Sequence, residues 1–99
     1  LVAFAGKNVR CGEYASFGTL ELAEKTFKAM EGRNAALMAN HGLIAGGANL
    51  MRAFDTAQQI EFCAKVYVKA RSIGSPVILS DEEMERMQMR FGSYGQIKK

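Results

Sequence analysis

The chain has 99 residues, 48% of them hydrophobic and 23% charged, with a net charge of +3 at pH 7. That length fits one small globular unit with a core and leaves no room for a second domain. Thirteen basic and ten acidic residues are interleaved along the chain, which argues against a nucleic-acid partner, and no apolar run approaches the ~20 residues needed to cross a bilayer.

The opening LVAFAG, Leu1 to Ala5, reads as an apolar strand, with turn chemistry at Gly6-Lys7-Asn8 and a second extended piece around Val9 to Cys11. From Thr19 the period changes. Leu20, Ala23, Phe27 and Met30 recur at helical spacing, with Thr19 as N-cap and Gly32 as the stop. The runs Ala35–Ala39 and Leu43–Ala45, on either side of Asn40-His41-Gly42, predict two short strands around a polar turn. Leu50, Ala53, Ala57, Ile60, Ala64 and Tyr67 then predict a helix from near Leu50 to near Ser72, with Arg52, Asp55, Gln59, Lys65 and Lys69 on its solvated face. Gly74-Ser75-Pro76 breaks it. Ser80-Asp81-Glu82-Glu83 is a capping box that starts a last helix through Met84, Met87 and Phe91, whereas Phe91–Gln96 is rich in glycine and aromatics and unlike a helix.

Few residues carry chemistry on their own. His41 is the only histidine, and Cys11 and Cys63 form no CxxC pair, so a complete zinc site of three or four ligands cannot be assembled. By ligand counting alone, a hydrogen-bonded turn residue is the better reading of His41, and the cysteines read as reduced thiols. No nucleophile has a base beside it and no phosphate loop of the GxxxxGK type occurs. Asp81, Glu82 and Glu83 are ordinary first-turn acids, and Met84, Met87 and Met89 read as core. The chain starts without methionine, as the tail of something longer would, and lacks a signal-peptide pattern, so a cytoplasmic location is the default expectation.

The order of the pieces says more than any one of them. EYASFGT opens a helix, ALMANHGLIAGG follows, then the NLMRAFDTAQQIEFCAKVY helix, a proline break, LSDEEM and FGSYG. Together they resemble the class II aldolase and adducin family over almost the whole chain, and specifically its carboxy-terminal half. The resemblance implies an α/β fold: the C-terminal part of a three-layer α/β/α domain with a mainly antiparallel sheet flanked by helices. It implies a zinc-dependent (or other divalent-metal) lyase that cleaves a phosphorylated ketose such as L-fuculose 1-phosphate into dihydroxyacetone phosphate and L-lactaldehyde. His41 would be the third histidine of the zinc site. Phe17 and Phe91 would line the aldehyde end of the site, with Tyr94 as a catalytic group there. Tyr14 matches the same motif, with a packing role equally open. The full-length protein would be a homo-oligomer, a cyclic tetramer with its site between subunits. The family's HxH pair, catalytic glutamate, phosphate-binding stretches and proton-donor tyrosine would all precede Leu1, so the 99 residues alone would be inactive. Alternatives within the fold are a sugar-phosphate 4-epimerase and a methylthioribulose-phosphate dehydratase. A non-catalytic adducin-like assembly protein is the alternative outside enzymology. Leu43, where epimerases tend to show proline, favours the aldolase.

Overall fold

A computed structural model describes the backbone of residues 2–94 and the side chains of residues 4–91. In chain order the elements are α1 (Val2–Ala5), β1 (Arg10–Gly12), α2 (Leu20–Ala29), β2 (Ala35–Met38), β3 (Gly42–Ala45), α3 (Leu50–Ile73) and α4 (Asp81–Tyr94). The three strands form one sheet in the order β1-β2-β3. β1 runs parallel to β2, with Arg10 opposite Ala36 and Gly12 opposite Met38, and the crossover that a parallel pair needs is supplied by α2. β2 and β3 pair antiparallel from Ala35–Ala45 to Met38–Gly42. Among the described residues the sheet is therefore mixed, with one parallel and one antiparallel pair, where a mainly antiparallel sheet was expected.

The core is built from small residues. Ala5, Ala35 and Ile60 form a buried cluster against which Val9, Leu43 and Ala45 pack. Successive strand residues point to opposite faces, so Ala35 meets Ile60 of α3 while Ala36, equally buried, faces the other way. On that second face α2 comes very close to β1. A Cβ on Gly12 would lie 3.2 Å from the Lys25 carbonyl oxygen and 3.5 Å from the Ala29 Cβ.

That close approach corrects the expected buried face of α2. The periodic residues Leu20 and Phe27 are 75% and 72% exposed, and Thr26 and Ala29 are buried instead. Only short side chains fit where the helix backbone nearly touches the strand. Thr26 satisfies its hydroxyl locally, donating to the Leu22 carbonyl at 2.7 Å, so its burial leaves no orphan polar group. In α3 only Thr56 and Ile60 are buried, while Leu50 and Phe62 are 86% and 61% exposed. The described residues cover only the side of α3 that carries Thr56 and Ile60.

Two ends of the chain also depart from expectation. The run expected as a strand at Leu1–Ala5 is a single helical turn from Val2. A five-residue apolar run has no period long enough to separate the two, and Gly6, at φ 101°, terminates the turn. At the other end α4 continues through Phe91 to Tyr94. One glycine costs a helix only ~1 kcal/mol, and Gly92 does not stop this one. The positions 95–96 of that expectation lie outside the described residues. Half of the expected capping box forms: Ser80 Oγ accepts the Glu83 amide at 3.1 Å, while the Glu83 carboxylate pairs with Arg86 at 3.2 Å. No described helix is long and apolar enough to cross a membrane.

Candidate functional site

The His41 end of the hairpin is set by backbone geometry. The Met38 carbonyl accepts the His41 amide at 2.8 Å, and Asn40, the third residue of that turn, has φ 65°. A type II turn demands positive φ at that place, and asparagine tolerates it better than other side-chain-bearing residues. The turn carries His41 out of the sheet with its side chain exposed.

The imidazole is nevertheless held. His41 Nε2 donates to the Ala15 carbonyl oxygen at 2.8 Å. A carbonyl can only accept, so this nitrogen carries a proton, and Nδ1 is the ring nitrogen left outside that bond. The Tyr14 ring stacks on the imidazole, centroids 5.6 Å apart and planes 10° from parallel. Both partners belong to the segment between β1 and α2. Ala15 is 3% exposed, which anchors the carbonyl. Lys25 Nζ on α2 donates to the Tyr14 carbonyl at 3.3 Å while pairing with Glu21 at 3.3 Å and Glu13 at 3.5 Å. The bond to Glu21, opposed by desolvation and helped by the nearby carboxylates, holds the Lys25 pKa above its ordinary value.

Phe17 is two residues beyond Ala15. Thr19 closes a tight loop there, its hydroxyl donating to the Ser16 carbonyl at 2.7 Å and accepting the Leu22 amide at 3.1 Å as the helix cap. Phe17 projects from this loop and is 83% exposed. The structure thus groups His41, Tyr14, Ala15 and the Phe17 loop at one end of the sheet.

Phe91 is not in that group. It lies on α4, which docks on the α1 side of the molecule through the Lys7–Glu85 ion pair at 3.0 Å. α1 in turn is tied to Asn34, at the far end of β2 from His41. Tyr94 ends α4, and its side chain lies outside the described residues. A cleft of about 440 Å³ lies at that far end, lined by Phe4, Arg33, Asn34, Gly46, Arg52 and Thr56 among others.

His41 suits a metal as a single ligand, an imidazole held in orientation with Nδ1 outside the bond to Ala15. It is not a whole site: the described residues hold no group of three histidine, cysteine or acidic side chains able to bind an ion. Cys11 and Cys63 are free thiols. Sequence reasoning missed Ala15, because a backbone carbonyl leaves no residue-type signal, and could not rank Tyr14. The signal for Tyr14 was its place five residues before the Thr19 cap, in the loop that leads from β1 to α2.

The comparisons with known proteins bear on these same elements. The family model described as the class II aldolase and adducin N-terminal domain matches residues 1–68, from α1 through most of α3. The chain is 52% identical over 96 residues to a 5-deoxy-D-ribulose 1-phosphate aldolase of Bacillus thuringiensis, covering 97% of this chain and 45% of that protein. It is 40% identical over 96 residues to the L-fuculose phosphate aldolase of Escherichia coli K12, covering 96% of this chain and 45% of the relative. A solved structure of an L-fuculose 1-phosphate aldolase superposes with a TM-score of 0.87 at 54% identity, over 92% of this chain and 43% of that one. The chain thus spans a little under half the length of the relatives it matches. With two thirds of its residues under the family model and half of them identical to an aldolase, this chain belongs to the class II aldolase and adducin family.

Proposed function

We propose that these residues form part of a metal-dependent sugar-phosphate aldolase, a carbon–carbon lyase, and are the C-terminal half of its single α/β/α domain. The observation that carries this reading is His41: an exposed imidazole, held by a carbonyl and a stacked ring, with one nitrogen left over, in a chain half identical to an aldolase over 96 residues. The substrate class is a ketose 1-phosphate, either L-fuculose 1-phosphate or 5-deoxyribulose 1-phosphate. Cleavage between C3 and C4 gives dihydroxyacetone phosphate from both, with L-lactaldehyde from the first and acetaldehyde from the second.

In this reading His41 supplies one ligand to a divalent metal, zinc by preference, and the remaining ligands come from the part of the protein outside these residues. The bound metal contributes Lewis-acid stabilisation of the negative charge left on the three-carbon product as the bond breaks. Tyr14 and Ala15 keep the imidazole oriented. Phe17 covers the aldehyde end of the substrate and excludes water there. Phe91 and Tyr94 serve the aldehyde end as well, Tyr94 as its polar group. Their placement on α4, away from His41 within this chain, fits a site completed by a neighbouring subunit of a homo-oligomer, a tetramer in our reading. The exposed apolar residues of α2 and α3 fit a fold whose other half lies against them.

The test is direct. The full-length protein, supplied with each ketose 1-phosphate, should release dihydroxyacetone phosphate, measured by coupled reduction, and chelation should abolish the release until zinc is restored. Conversion of a sugar phosphate to its 4-epimer without any three-carbon product would instead select the epimerase reading. No turnover by a metal-replete protein would select the adducin-like one.

A further inference from the structure

We propose that Tyr14 is a positioning residue for His41: its ring fixes the plane of the imidazole while the adjacent Ala15 carbonyl fixes the rotation within that plane, so that the remaining nitrogen points in one direction before any metal arrives. The inference rests on the reading of His41 as a metal ligand and adds to it a residue whose alternative role is plain packing.

Tyr14 is half-exposed and lies outside the buried cluster of Ala5, Ala35 and Ile60. What it does contact is the His41 ring, nearly parallel at 10° with centroids 5.6 Å apart. A lone hydrogen bond to Ala15 at 2.8 Å leaves the imidazole free to swing about the Nε2–O axis. A near-parallel ring on one face limits that swing. The two restraints are orthogonal and come from consecutive residues, so a single loop delivers both.

The loop is itself pinned at three points. Ala15 is buried, Lys25 holds the Tyr14 carbonyl, and the Thr19 hydroxyl holds the Ser16 carbonyl. His41 reaches it from a turn whose geometry Asn40 sets through φ 65°. An exposed imidazole on a hairpin turn would otherwise sample several rotamers, and ordering it would then count against metal affinity. Groups that orient a metal-binding histidine typically affect affinity by about 10–100-fold.

The experiment compares full-length wild type with Tyr14→Phe, Tyr14→Leu and His41→Ala, each stripped of metal and titrated with zinc chloride against a chromogenic chelator. A second readout, on the metal-free proteins, is the NMR shift of the His41 ring protons, which the Tyr14 ring current moves upfield. Tyr14→Phe keeps the stacked ring and should bind zinc within about threefold of wild type with the upfield shift intact. Tyr14→Leu should bind about tenfold or more weakly and lose the shift. Zinc affinity of Tyr14→Leu equal to wild type, with affinity lost in His41→Ala, would overturn the positioning role and leave the ligand assignment standing. Equal loss in Tyr14→Phe and Tyr14→Leu would also overturn it, since the hydroxyl rather than the ring would then matter. Wild-type affinity in His41→Ala would overturn both. Should Tyr14→Leu fail to fold, the wild-type shift decides: His41 ring protons at unstacked positions would refute the proposal.

Discussion

The two ends of the β2–β3 hairpin use polar residues in opposite ways. At the start of β2, Asn34 is tied into the fold through its backbone amide, its backbone carbonyl and its side-chain nitrogen. Its amide donates to the Ala5 carbonyl at 3.2 Å, its carbonyl accepts the Gly46 amide at 2.8 Å, and its side-chain nitrogen donates to the Phe4 carbonyl at 2.8 Å. That end is closed on itself and ties α1 to the sheet. At the other end His41 is held just as definitely, by the Ala15 carbonyl and the Tyr14 ring, yet one ring nitrogen is left over. The contrast separates a residue that holds the fold from one that the fold holds out. Removing the first should cost stability, and removing the second should cost chemistry.

The largest effect expected from breaking this contrast is in His41→Ala of the full-length protein. Bound zinc should fall below stoichiometric, and cleavage should drop on the order of 100-fold or more, while the metal-free protein melts as wild type does. A parallel fall in the melting temperature of the metal-free form would make His41 a structural residue after all. Asn40→Val comes next. A β-branched side chain at φ 65° should cost roughly 1–2 kcal/mol in thermal or urea unfolding, and Asn40→Gly only a few tenths. Equal stabilities for the two would show that the turn relaxes to another geometry. Asn34→Ala should cost ~1 kcal/mol through the lost bond to Phe4 and leave zinc stoichiometry per folded molecule unchanged. Reduced zinc in that variant would mean that the two ends are coupled.

Lys25→Met should have the smallest effect, a melting temperature close to that of wild type near neutral pH, because its ion pairs are solvent-screened. Its sign with pH is fixed. The bond to Glu21 raises the Lys25 pKa above the usual 10.5, so its contribution is fully present below that value and is lost only as pH rises past the raised one. Melting curves of wild type and variant measured between pH 7 and 9 should therefore stay parallel.

How much of this was legible in the sequence depended on whether the cause was local. Thr19 and Ser80 read correctly as caps because each bonds an amide three residues on. The hairpin at Asn40-His41-Gly42 and the long helix from Leu50 were equally plain. What misled was anything decided by a distant partner. Leu20 and Phe27 have helical spacing, yet the glycine at position 12 draws α2 in so closely that only Thr26 and Ala29 fit beneath it. Val2–Ala5 is too short to declare its period, and its helical turn is anchored by Asn34, some thirty residues on. The metal reading of His41 lost on ligand counting, since one histidine cannot make a site, and was recovered only by the order of the neighbouring segments. The Ala15 carbonyl could be found only once the backbone had been traced.

The claim that organises all of this is that His41 is a metal ligand in the assembled enzyme. The most direct measurement is a crystal structure of the full-length protein soaked in zinc, with anomalous data collected on both sides of the zinc absorption edge. The expected result is an edge-dependent peak about 2.0–2.1 Å from a ring nitrogen of His41, with the Tyr14 ring still stacked on the imidazole. A zinc peak held entirely by other residues, with His41 bonded to Ala15 alone, would contradict it.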